Sequence, residues 1–328
     1  MHALRATAWP APASNSDASE RISGYRPKLD VVRFLAFFLV FLFHALPFPD
    51  VGQYGWRIRL ALVQECSTGL CLFFTLSAYL ITSLLLTERQ ATATVSIKRF
   101  YIRRLLRIWP LYFFGIAIGF LIAVLTHRRN DVTGLLWYLL FAGNFYCMAF
   151  GWLANPMSPL WSISIEEQFY LLWPWAMRWL SRRMLTVSAL FFIVAANITL
   201  FILSRIHATN PAVWTNTFVQ FEMFAAGILL ALKKKRVAQN QFGMGSVLVI
   251  AGPVLWCVAH FQLNARQPAG GMTAIGAVAL IVAYGLIALG CAAILQGFLL
   301  DRPIPHAAMG GLPGQDILWS LCLSFARA

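Results

Sequence analysis

Charged residues are scarce in this 328-residue chain, at 12% of the total, where a soluble domain carries about 25%. That shortage excludes a cytosolic globular enzyme, and a mean hydropathy of +0.69 points the same way. Acids are scarcer still, 12 against 26 Lys and Arg, for a net charge of +14. On a soluble protein such an excess would suggest nucleic acid. On a membrane protein it marks basic loops kept on the cytoplasmic side, so no nucleic-acid partner is expected. The cysteines at 66, 71, 147, 257, 291 and 322 lack metal-type spacing, and no His pair stands near them. Most lie in or beside apolar segments, where a thiol packs as a small hydrophobe; neither a metal site nor a disulfide is expected. Residues 1–27, polar and rich in Ala, Ser and Pro, lack the apolar core of a cleavable signal and read as a disordered cytoplasmic lead-in.

What the chain has instead is long apolar runs, several close to the ~20 residues that cross a bilayer. Helices are expected at Leu29–Phe48, Thr68–Leu86, Trp109–Leu125, Trp161–Leu180, Met184–Leu203, Thr217–Leu232, Gly245–Phe261 and Thr273–Leu299. Leu135–Phe150 contains Gly143 and Asn144 and precedes Asn155, Pro156 and Pro159; it reads as a re-entrant or interfacial piece. The fold class is therefore an all-α polytopic membrane protein, with about eight transmembrane helices and one membrane domain over residues 28–300. With the N-terminus inside, nineteen Lys and Arg fall on inner segments and six on outer ones. That excess places the N-terminus in the cytoplasm and makes Trp161–Leu180 run from outside to inside.

Charged side chains within spans are costly and mark function. Asp30, Arg33 and His44 share the first helix. Arg33 and His44 are eleven residues apart, which returns to nearly the same face about 16 Å further along. Asp30 precedes Arg33 by three residues, the spacing of an ion pair. A bland reading keeps the pair interfacial and His44 a packed, hydrogen-bonded residue.

A second constellation runs from Trp161 to Tyr170. Ser162, Glu166 and Tyr170 recur every four residues and share one face near the outer end of their span. Glu166 could act as a base or hold an imidazole in one tautomer; the plain alternative is an aromatic belt with a helix-start acid. A third is Arg99–Arg107, where Arg103, Arg104 and Arg107 form a basic ridge before Trp109 and Pro110. It is either an anchor on anionic lipid or a phosphate clamp. Glu222 is a lone intramembrane acid, and Lys233–Arg236 is a topological anchor.

These blocks resemble, in order, the motifs of the acyltransferase-3 family of membrane O-acyltransferases. Leu29–Ala36 with His44 resembles its Asp-x-x-Arg…His opening, Phe73–Thr82 its Phe-Phe-x-Leu-Ser-Gly-Phe-Leu-Ile block, and Arg104–Arg107 its Arg-x-x-Arg element. Trp161–Pro174 resembles its Trp-Ser-Leu-x-x-Glu-x-Gln-Phe-Tyr stretch, so the likeness covers roughly residues 26–180. The resemblance implies a domain of about ten helices in a bacterial-type inner membrane. Such a domain moves an acyl group, commonly acetyl, from acyl-CoA to a hydroxyl of a surface or exported glycan or another acceptor.

It further implies that His44 is the essential imidazole with Arg33 as its partner and Asp30 beside them, and that Glu166 stands at the acidic position. Arg104 and Arg107, with Arg103, fall on the acyl-CoA side. The charge count, and not the resemblance, starts the Trp161–Tyr170 segment on the outer side, so Trp161, Ser162, Gln168 and Tyr170 are expected on the acceptor side. The implied partners are thus acyl-CoA as co-substrate, a glycan or other hydroxyl-bearing acceptor, and membrane lipid, with no metal. Ala78 departs from the usual Gly, and Cys71 stands where the family often has an acid. After Leu300 the family's Gly-Arg-x-Ser-Tyr-Ser block is absent, and residues 301–328 read as an atypical, truncated tail. The competing expectations are a polytopic transporter using the Asp30–Arg33–His44 stripe as a relay, disfavoured by the lack of an inverted repeat, and an inactive truncated acyltransferase.

Overall fold

A computed structural model of the chain describes residues 27–46, 56–233, 244–261 and 274–300. The expected lead-in and tail lie outside these residues, except for Pro27. Among the described residues there are twelve α-helices, one 3-10 turn and no strand: an all-α, multi-pass membrane protein. They are α1 Pro27–Ala45, α2 Trp56–Ser67, α3 Gly69–Thr92, α4 Ile97–Leu125, α5 Arg129–Leu139, α6 Gly143–Phe150, α7 Trp161–Trp179, α8 Arg182–Arg205, α9 Asn210–Trp214, α10 Thr217–Leu232, α11 Met244–Phe261 and α12 Ala274–Leu300. Each of the eight expected spans falls on a helix. Five stretches are long and apolar enough to cross a membrane, namely Leu62–Thr92, Ile97–Leu125, Arg182–Arg205, Asn210–Leu232 and Gly276–Leu300.

Burial separates centre from rim. The apolar windows of Leu62–Thr92 and Asn210–Leu232 are 61% and 67% buried, against 22% for α4 and α8. The α3–α10 pair is the axis because small residues let the backbones meet. A Cβ on Gly227 would lie 2.1 Å from the Thr75 carbonyl oxygen and 2.9 Å from Ala78 Cβ, the close approach that small residues permit between membrane helices. Ala78, the departure from the family's glycine, is tolerated there because its neighbour on α10 has no side chain. Phe224 of α10 stacks on Phe169 of α7 at 4.4 Å, so the axis also fixes α7.

Two elements differ from the sequence reading. The basic ridge and the following span form one helix, α4, with Pro110 inside it. The expected re-entrant piece is two short helices, α5 and α6, with a break between them. At that break Phe141 takes φ +53°, unusual for a bulky residue. Its ring stacks on Tyr112 at 4.6 Å, and its carbonyl accepts from Gln168 Nε2 at 3.0 Å. The surroundings thus hold a conformation the local chain would not choose.

Candidate active site

Three helices bring Asp30, Arg33, Arg104, Arg107, Glu166 and Tyr170 together, and a fourth adds Ser77. On α1, Arg33 pairs with Asp30 at the predicted i,i+3 spacing. On α7, the Tyr170 phenol donates to Glu166 Oε2 at 2.8 Å. On α4, the Arg104 guanidinium lies 4.6 Å from the centre of the Tyr170 ring, a cation–π distance. From α3, the Ser77 hydroxyl is hydrogen-bonded to that same phenol. Arg104 and Arg33 both act electrostatically on Glu166. Arg107 in turn feels Arg33, Arg104 and Asp30. Three guanidiniums therefore share a region with two carboxylates, one of which is already paired to Arg33.

This cluster exists because each helix carries its charges on one side. Arg104 and Arg107 are three residues apart on α4 and Glu166 and Tyr170 four apart on α7, so each pair shares a face. Arg103, one residue from Arg104, is exposed. Beside the cluster, Glu167 Oε2 accepts from Trp109 Nε1 at 3.3 Å, tying α4 to α7 a second time.

His44 stands at the far end of α1 and is exposed. Its Nδ1 lies 2.8 Å from the Val40 carbonyl oxygen. A carbonyl only accepts, so Nδ1 carries the proton, and in the neutral ring Nε2 holds the open lone pair. Along α1, eleven residues or about 16 Å separate it from Arg33, so it and the arginine cluster occupy two levels of the bundle.

The residues expected on the acceptor side divide. Trp161 is 5% exposed and packs against Trp152, ring centres 6.1 Å apart. Trp152 itself is 47% exposed, so it is the indole that offers a free face. Ser162 donates to the Pro159 carbonyl at 3.0 Å. Gln168 joins three helices: its Nε2 also reaches Asn144 Oδ1 at 2.9 Å, and its Oε1 accepts from Thr217 at 2.7 Å. Glu222 lies away from the cluster, lining a cavity of about 620 Å³ between α8, α10 and α12.

Sequence reasoning missed Ser77 and Glu167. Ser77 sits inside the Phe73–Thr82 block, so its position was flagged though its role was not. Glu167 adjoins Glu166, and the Glu-Glu pair was itself the available signal.

The acyltransferase-domain family model matches residues 26–307, and the chain belongs to that family, the acyltransferase-3 membrane domains. Among curated proteins it is similar to the peptidoglycan O-acetyltransferase OatA of Listeria monocytogenes, 32% identical over 46% of this chain and 24% of the relative. It is 31% identical to the putative peptidoglycan O-acetyltransferase YrhL of Bacillus subtilis, over 46% of this chain and 23% of that protein. With the O-acetyltransferase OatA of Staphylococcus aureus it shares 27% identity over 56% of this chain and 33% of the relative. The matched stretch is thus a third or less of the length of these relatives. No solved structure matches.

Proposed function

We propose that this protein transfers an acetyl group from acetyl-CoA, bound from the cytoplasm, to a hydroxyl of a cell-wall glycan on the outer side of a bacterial inner membrane. The observation that carries this reading is the convergence of Arg33, Arg104 and Arg107 with Glu166, with Arg107 at the exposed margin of the cluster. Arg107 stands among like charges, and such a cluster calls for an anion. Arginine forks suit phosphate oxygens, and CoA brings several. Relatives named as peptidoglycan O-acetyltransferases support the glycan as acceptor.

The chemistry follows from the two levels. The phosphates rest at the arginines, and the pantetheine arm carries the thioester toward His44. There Nε2 takes the proton of the acceptor hydroxyl as its oxygen attacks the thioester carbonyl. The C–S bond breaks, the new C–O bond completes the ester, and the imidazolium returns its proton to the departing thiolate, leaving CoA and an O-acetylated sugar. The exposed Trp152 face at the outer loop suits stacking on a sugar ring. Glu166, held by Tyr170, keeps the arginine cluster from repelling itself apart before the donor binds.

The test is acetyl transfer in proteoliposomes. Purified protein is given radiolabelled acetyl-CoA on the cytoplasmic face and a peptidoglycan oligomer on the other. Base-labile label on the oligomer is the expected result. Label confined to acetyl-CoA, with inserted protein verified by its thermal transition, would remove the activity from this chain.

A further inference from the structure

The single phenol proton of Tyr170 is committed. It goes to Glu166 Oε2 at 2.8 Å. Yet the Ser77 hydroxyl is also hydrogen-bonded to the Tyr170 oxygen. With one O–H on the phenol, Ser77 must be the donor of that second bond. The proton order is fixed: Ser77 to Tyr170, Tyr170 to the Glu166 carboxylate.

Three features make this more than helix glue. Ser77 spends its proton across the bundle, whereas Thr75, two residues earlier on α3, returns its own to Cys71 of the same helix at 3.0 Å. The register between α3 and α7 is already set by Trp173 Nε1 donating to Thr82 Oγ1 at 2.9 Å, so Ser77 is not needed for it. Arg104 lies over the face of the very ring that Ser77 and Glu166 hold at its edge. A phenol that receives one hydrogen bond and faces a cation donates the next bond more strongly.

We infer that Ser77 is a positioning residue: through Tyr170 it orients and strengthens the hydrogen bond to Glu166, and so sets the carboxylate that faces Arg104 and Arg33. This deepens the acetyl-transfer reading and rests on it for its kinetic consequence. Tyr170 then serves Glu166 and not the acceptor, and the half-buried Ser77 is where the chain of hydrogen bonds begins.

Two measurements test it. The first needs no turnover: the infrared difference spectrum between wild type and Ser77→Ala in the carboxyl region should show a shifted band that vanishes in the Glu166→Gln background. An unchanged spectrum would overturn the inference, even where wild type itself transfers no acetyl. The second is kinetic. Losing the hydroxyl–phenol bond that reinforces the charge-assisted one should lower kcat about tenfold with the acceptor KM unchanged, and Ser77→Thr should restore most of it. In a Tyr170→Phe background Ser77→Ala should add nothing further, since the pair acts as a unit. Full kcat in Ser77→Ala, or losses that simply add, would each refute the role.

Discussion

The Arg104 guanidinium lies 4.6 Å from the centre of the Tyr170 ring, and Tyr170 in turn donates to Glu166. One aromatic side chain thereby meets a cation on its face and an anion at its edge. Arg104→Lys keeps the charge but loses the planar group that stacks and forks. The apparent KM for acetyl-CoA should rise about tenfold, with the acceptor KM within twofold. A larger change in the acceptor KM would assign Arg104 to the wrong substrate.

His44 makes its hydrogen bond within its own helix and is exposed. His44→Ala should therefore insert and melt like wild type, within about 0.5 kcal/mol, while acetyl transfer is lost. Wild-type turnover in vesicles would take His44 out of the mechanism.

Glu166 is the sixth residue of α7, and the first turn of that helix contains no acid. Stabilisation by the helix dipole fades beyond the first turn, so the helix-start account of this residue has little purchase. Glu166→Gln keeps the size and should keep the fold. Its kcat should fall about a hundredfold, with little change in stability. Equal activity in the two proteins would make Glu166 dispensable.

Gln168 uses both its amide ends to tie α6, α7 and the break at Phe141 to α10. Gln168→Leu would leave Asn144 and Thr217 short of partners in a buried place. Each such group costs about 1–3 kcal/mol, so the thermal transition should fall by several degrees. An unaltered transition with a raised acceptor KM would instead mark Gln168 as a substrate contact.

Gly227→Ala should be the most damaging single change to the axis. The added Cβ would meet a backbone carbonyl at 2.1 Å, which no rotamer relieves. Overpacking of this kind costs about 1–3 kcal/mol or more, read as loss of detergent-stable protein. A well-folded Gly227→Ala variant would show that α3 and α10 can separate.

The fold was legible where composition and periodicity govern. Apolar runs marked each span, because a backbone in lipid must satisfy its hydrogen bonds internally and can do so as a helix. The Asp30–Arg33 pair was legible too, since i,i+3 spacing alone brings the side chains together. The apolar run sets the expected span at Trp109, yet α4 runs from Ile97 through Pro110 for 29 residues in all. The arginine ridge is therefore continuous with the span as one rod, with Arg104 turned to Tyr170 and Arg103 and Arg107 exposed.

By themselves, then, the residues determined the class, the helices and the short-range pairs, all set by spacing along one chain segment. Tertiary structure alone decided that Arg104 meets Tyr170, that Ser77 reaches it from 93 residues away, that Gln168 is spent within the bundle, and that Trp161 is buried while Trp152 is not. Those contacts depend on which face of each helix meets its neighbour. That choice is made where Gly227 lets α10 close on Thr75 and Phe224 settles on Phe169, a fit of surfaces far apart in sequence that no local pattern encodes.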